Sequence, residues 1–97
     1  MEIGRYYVSK GDHGGGINRF KVVVTKFQAS PHTAEALARL TNLYLSLGIL
    51  SEAQTAAAVL ARKFPDDPWA EVAREALSAA GLDPAEHEAS WISRAFR

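Results

Sequence analysis

The stretch that most limits what this chain can become runs from Ser30 to Pro65, where two apolar patterns meet at Gly48. Leu37, Leu40, Tyr44 and Leu47 recur at steps of three and four, which places them on one face of a helix. Beyond the glycine, Ala53, Ala57, Leu60 and Phe64 repeat the pattern. Gly48 supplies the left-handed residue that ends the first helix, and Pro65 closes the second. Ser51 is the expected N-cap of the second helix, with Gln54 completing a capping box three residues on. So short a connection forces neighbouring helices antiparallel, giving a helical hairpin. The small side chains of Ala53, Ala56, Ala57 and Ala61 allow its helices a close approach.

The apolar and small positions Leu37, Leu40, Tyr44, Gly48, Ala53, Ala57, Leu60 and Pro65 stand in the register of a tetratricopeptide repeat. Thr41 departs, where a smaller residue is usual. An earlier hairpin, over about 2–27, follows the same plan. Its first helix covers 2–10, with Ile3, Tyr6 and Tyr7 apolar, and its second carries Ile17, Phe20, Val23, Val24 and Phe27. The run Val22-Val23-Val24 also suits a strand, but the repeat register selects a helix. Tyr7, Gly11, Gly16 and Phe20 precede Tyr44, Gly48, Ala53 and Ala57 by 37 residues each. The usual period is about 34, and a longer loop at Gln28-Ala29-Ser30-Pro31 accommodates the excess. Gly14, Gly15 and Gly16 each cost about 1 kcal/mol relative to alanine in a helix, so 12–16 is the expected weak point of the interior.

Asp67-Pro68 opens a third unit with an N-cap aspartate and a first-turn proline, 37 residues after Pro31. Trp69, Val72, Ala73, Ala76, Leu77 and Ala80 share one side of the helix 68–80. Gly81 ends it early, so this helix is read as the cap of the stack. Asp83-Pro84-Ala85-Glu86 carries the signals of another helix start. The expected organisation is a repeat domain over 1–81 and a tail over 82–97 with a short helix. The tail's Trp91, Ile92, Ala95 and Phe96 form an apolar cluster that either docks back or projects to a partner.

Ninety-seven residues suffice for one small domain, burying roughly 60–65 % of the unfolded surface. A 47 % apolar content excludes a disordered chain. Net charge is zero, against general nucleic-acid affinity, but residues 1–49 sum to +3 and residues 50–97 to −3. That split suits a polar protein interface or head-to-tail self-contact, and equally a solvated surface. There is no cysteine, hence no disulfide or thiolate site. No apolar run approaches membrane-spanning length, and the first residues lack a signal-peptide core. They read as the middle of a helix, so the expectation is a chain that starts partway through a longer protein, with self-association open if its first apolar side is uncovered.

Catalysis finds no support. His13, His32 and His87 are scattered, and His32 with Glu35 supplies only half of a metal site. Zincin, phosphate-loop and nucleophile-elbow motifs are absent, and no cofactor is expected. The groove of such repeats commonly binds peptides, and Arg5, Ser9, Asn42 and Leu45 would face it in this register. With Asn42 alone in a carboxylate-gripping position, a carboxylate clamp is not expected. Arg19, Lys21 and Lys26 lie on the second helix of the first hairpin, Arg19 and Lys26 sharing a face seven residues apart. They are either a solvated flank or a contact for an acidic patch. Trp91, Ile92 and Phe96 are likewise either interface anchors or tail packing.

The runs G-R-Y-Y-V-S-K-G-D-H-G-G-G-I-N-R-F-K-V-V-V-T-K-F, S-P-H-T-A-E-A-L-A-R-L-T-N-L-Y-L-S-L-G and S-E-A-Q-T-A-A-A-V-L resemble the C-terminal part of the BamD family (also ComL or YfiO) of outer-membrane assembly lipoproteins. The closing S-W-I-S-R-A-F is similar to the end of its alphaproteobacterial members. The likeness covers nearly the whole chain, most specifically in Y-Y…G…I-N-R. It implies a non-catalytic scaffold of stacked repeats, lipid-anchored at the periplasmic face of the outer membrane. Its expected partner is the periplasmic POTRA region of the β-barrel insertase BamA, with other assembly-complex lipoproteins nearby. The arginine of the family's N-R pair reaches an acidic residue of the last POTRA domain, a role that falls on Arg19 after Asn18. The lipidated cysteine, the signal peptide and the early, substrate-recognising repeats are not in this sequence. His13-Gly14-Gly15-Gly16 also stands where the family has an aromatic and alanines. The reading is therefore an all-α stack of tetratricopeptide-like antiparallel hairpins in a right-handed solenoid with a C-terminal capping helix. The rival is a stand-alone adaptor binding a peptide in its groove.

Overall fold

Gly48 turns the chain as its position requires. Its φ of 77° is left-handed, its N–H donates to the Leu45 carbonyl at 3.1 Å, and the Ile49 N–H donates to the Tyr44 carbonyl at 2.9 Å. The computed structural model describes residues 13–28 and 30–96. Every regular element among them is an α-helix: α1 (His13–Lys26), α2 (Pro31–Leu47), α3 (Leu50–Lys63), α4 (Pro68–Ala79) and α5 (Trp91–Ala95). The helix expected over 2–10, with Arg5, Ser9, Tyr7 and Gly11, lies outside the described residues.

Two helix starts 37 residues apart are built alike. Ser30 accepts a hydrogen bond from the His32 N–H at 3.1 Å ahead of Pro31, and Asp67 accepts from the Trp69 N–H at 2.9 Å ahead of Pro68. Each side chain satisfies a donor the first turn leaves open, and each proline sits where no N–H is needed. The start of α3 departs from expectation. Ile49 is its N-cap, no side chain caps it, and Ser51 lies one residue inside the helix. The tight glycine turn is the cause. The Ile49 N–H is already bonded to Tyr44 and its carbonyl accepts from the Ala53 N–H at 3.2 Å, so helix geometry is set before Ser51 is reached.

The valine run of α1 is helical, because alternate burial on a strand would strand its apolar stripe: Val24 is fully buried while Ile17, Phe20 and Val23 pack against the core. The glycine run lies within the same helix. A Cβ placed on Gly16 would meet the Leu43 side chain at 3.5 Å, an ordinary contact. Gly16→Ala is therefore expected to stabilise the protein by up to about 1 kcal/mol, read as a higher urea midpoint with an unchanged m-value.

Helix α2 is the centre of the stack, packing against α1, α3 and α4, and α4 also lies on α3. The core is aliphatic and small: Leu37, Leu40, Leu60, Leu77, Val24, Val59, Ala34, Ala53 and Ala56 are all fully buried. Its edges are narrower than the apolar spacing predicts. Leu47 is 41 % exposed and Val72 equally so, while Ala61 and Ala80 also face solvent. Leu47 lies at the end of α2, one residue before the corner, and no further helix covers the outer side of α4 among the described residues. Gly81, at φ 78°, closes α4 as expected, with the Leu82 N–H returning to the Leu77 carbonyl at 2.9 Å.

The helix expected from Asp83 does not form. In a helix the Asp83 carbonyl would accept from the His87 N–H. Here the Asp83 carbonyl accepts from Gln54 Nε2 at 3.0 Å, and the His87 N–H donates to Thr55 Oγ1 at 3.0 Å. Both partners are thus captured separately by α3. The tail runs unwound along α3 until Ser90 caps α5, which rests against α3 and α1. Ile92 is fully buried and Phe96 is 7 % exposed, so these two side chains complete the core rather than project from it.

Candidate functional site

Helix α1 carries no acidic residue, and its outward positions hold Asn18, Arg19, Lys21, Val22 and Lys26. Their placement follows from the stripe of Ile17, Phe20, Val23 and Val24 packed on the core, which leaves the other side of the helix to solvent. Asn18 and Arg19 are exposed, and Arg19 forms no ion pair with the described residues. Lys26 stands seven residues on, in the last turn, where a cation also suits the helix dipole.

Lys21 has a different situation from the other two cations. Its Nζ lies 5.1 Å from the centroid of the Trp91 ring, a distance at which the ring face attracts a cation. Trp91 Nε1–H in turn donates to the Tyr44 hydroxyl at 2.8 Å. Burial raises the Tyr44 hydroxyl above its ordinary pKa, the bond from Trp91 opposing the shift and nearby Glu52 adding to it. The phenol therefore stays neutral. Ser90 donates to Glu52 just before α5 begins, and Gln28 Nε2 donates to the Ala95 carbonyl at 2.5 Å. One tail segment thus ties α1, α2 and α3 together.

The sequence-derived site residues fall into two groups. Lys21 and Trp91 meet, while Asn18, Arg19 and Lys26 share the open side of α1. Asn42 is exposed on α2, its amide donating to the Ala38 carbonyl at 3.5 Å, and it does not join the α1 surface. Arg5 lies outside the described residues. Glu35, paired with His32 in the sequence, is bonded to Arg39 Nε at 2.9 Å instead. Among the described residues no group of three His, Cys, Asp or Glu is placed to hold a metal ion, and no helix is long and apolar enough to cross a membrane.

Three links escaped the sequence. Arg39 stacks over Trp69 at 5.5 Å, Arg62 forks onto Glu86, which also accepts from Ser93, and Gln54 and Thr55 grip the tail. Each joins residues from different helices or from a helix and the tail, so no periodic spacing announces them.

A family model described as an outer membrane lipoprotein, YfiO, matches residues 1–60. The chain is 44 % identical over 85 residues to the outer membrane protein assembly factor BamD of Caulobacter vibrioides, an alignment covering 88 % of this chain and 28 % of that protein. It is 39 % identical over 69 residues to the BamD of Rickettsia prowazekii, covering 71 % and 28 %. The alignments thus span little more than a quarter of these relatives' length. No solved structure matches the chain. The chain belongs to the YfiO family of outer-membrane lipoproteins, and that membership assigns it to the outer membrane.

Proposed function

We propose, on the premise of that membership, that this chain is the carboxy-terminal repeat portion of a BamD-like lipoprotein and acts as a non-catalytic scaffold in outer-membrane protein assembly. Both relatives bear the name of an assembly factor. The finer part of the reading is the partner: the POTRA region of BamA, contacted through α1. One observation carries it. Arg19 is exposed on an acid-free helix and has no ion pair with the described residues, so its guanidinium fork is open to a carboxylate. Other assembly-complex lipoproteins would meet the same end of the stack.

The test is a titration of the full-length protein with the POTRA region of its own BamA. Arg19→Glu turns an attraction into a repulsion and is expected to weaken binding at least about tenfold, with the helical circular dichroism signal unchanged. Unaltered affinity would remove Arg19, and with it α1, from the interface.

A further inference from the structure

We propose that the cleft at the α1–α2 junction seats one apolar side chain carried on an acidic segment of a partner protein. The inference rests on α1 being the partner-binding helix and adds the kind of segment it takes. The cleft lies between Val23 of α1 and Phe27 just beyond that helix on one side and Ser30 and His32 at the start of α2 on the other, and its volume is about 300 Å³. That is room for a single aliphatic or aromatic side chain. Phe27 is 57 % exposed. An isolated exposed apolar residue is ordinary, but Phe27 walls an apolar recess together with half-buried Val23.

The charge around the recess decides the occupant. From His13 to Ala34 the sequence has no Asp or Glu. The next acid, Glu35, is already held by Arg39 at 2.9 Å. Arg19, Val23 and Lys26 follow at steps of four and three, so two cations border the apolar stripe that leads into the cleft. The third, Lys21, is turned to Trp91. A segment with carboxylates beside its apolar anchor gains from both features, and a basic one is repelled. Two cations are fewer than the roughly four to eight that gather at a lipid-binding surface, which favours a protein over an anionic membrane.

The test compares Phe27→Ser, Lys26→Glu and Arg19→Glu in the full-length protein, titrated with the BamA POTRA region at two salt concentrations. Phe27→Ser is expected to weaken binding about tenfold with the salt dependence unchanged. Lys26→Glu is expected to weaken it and flatten the salt dependence. Because Phe27 is more than half exposed, its variant should keep the wild-type melting temperature. Binding indifferent to Phe27→Ser but lowered by Arg19→Glu overturns the cleft and leaves the α1 reading standing. Binding indifferent to all three variants overturns both. Two controls name other occupants: a Phe27-dependent dimer in sedimentation of the partner-free protein, or Phe27-dependent binding to phosphatidylglycerol vesicles, each of which overturns the acidic protein segment.

Discussion

Leu37→Ala is expected to remove about 2–5 kcal/mol of stability. Leu37 is fully buried on α2, the helix that packs against α1, α3 and α4 at once. Removing its isopropyl end forfeits transfer energy and leaves a void that three neighbours cannot all close. Small domains hold only about 5–15 kcal/mol in total, so the variant sits near the threshold of folding at physiological temperature. Urea unfolding followed by circular dichroism reads the effect as a lower midpoint. Leu47→Ala on the same helix is the control. Its residue is 41 % exposed, and the change should stay within about 0.5 kcal/mol. Equal losses at the two sites would mean that α2 is not the packed centre.

Trp91→Ala should cost about 2 kcal/mol, less than a fully buried tryptophan because the ring is only half-buried. The substitution severs the bond to Tyr44, the contact with Lys21 and the anchor of α5 together. Trp91→Phe separates these contributions. It keeps a ring for Lys21 and the apolar contact, but leaves the Tyr44 hydroxyl without its donor, at a cost of about 1 kcal/mol. A double-mutant cycle with Tyr44→Phe should return a coupling of about 0.5–1.5 kcal/mol. A coupling near zero would show that the two side chains act independently.

What could be read from the residues was whatever local chemistry decides. The Gly48 corner, the Ser30-Pro31 and Asp67-Pro68 helix starts, and the helical valines of α1 each follow from a few adjacent residues and the repeat register. Two valid local signals failed because the bonds they needed were already taken, in one case by the preceding turn and in the other by a distant helix. Ser51 carries a valid capping signal, yet the bonds of the glycine turn fix the helix start before it. Asp83-Pro84-Ala85-Glu86 carries a valid start signal, yet Gln54 and Thr55 take the groups that would close its first turn. The α1 cations were visible as a row. Their division into one cation engaged by Trp91 and two facing solvent was not, because Lys21 and Trp91 are brought together only by the return of the tail.

That return has a consequence for how loosening would look from outside. Asp83 and His87 are each other's natural helical partners, held apart because α3 satisfies both. A tail that lets go of α3 loses both partners and is too short to hold a helix alone, so its release would leave the ellipticity at 222 nm almost unchanged. Far-ultraviolet spectra alone would therefore pass such a disturbed molecule as intact.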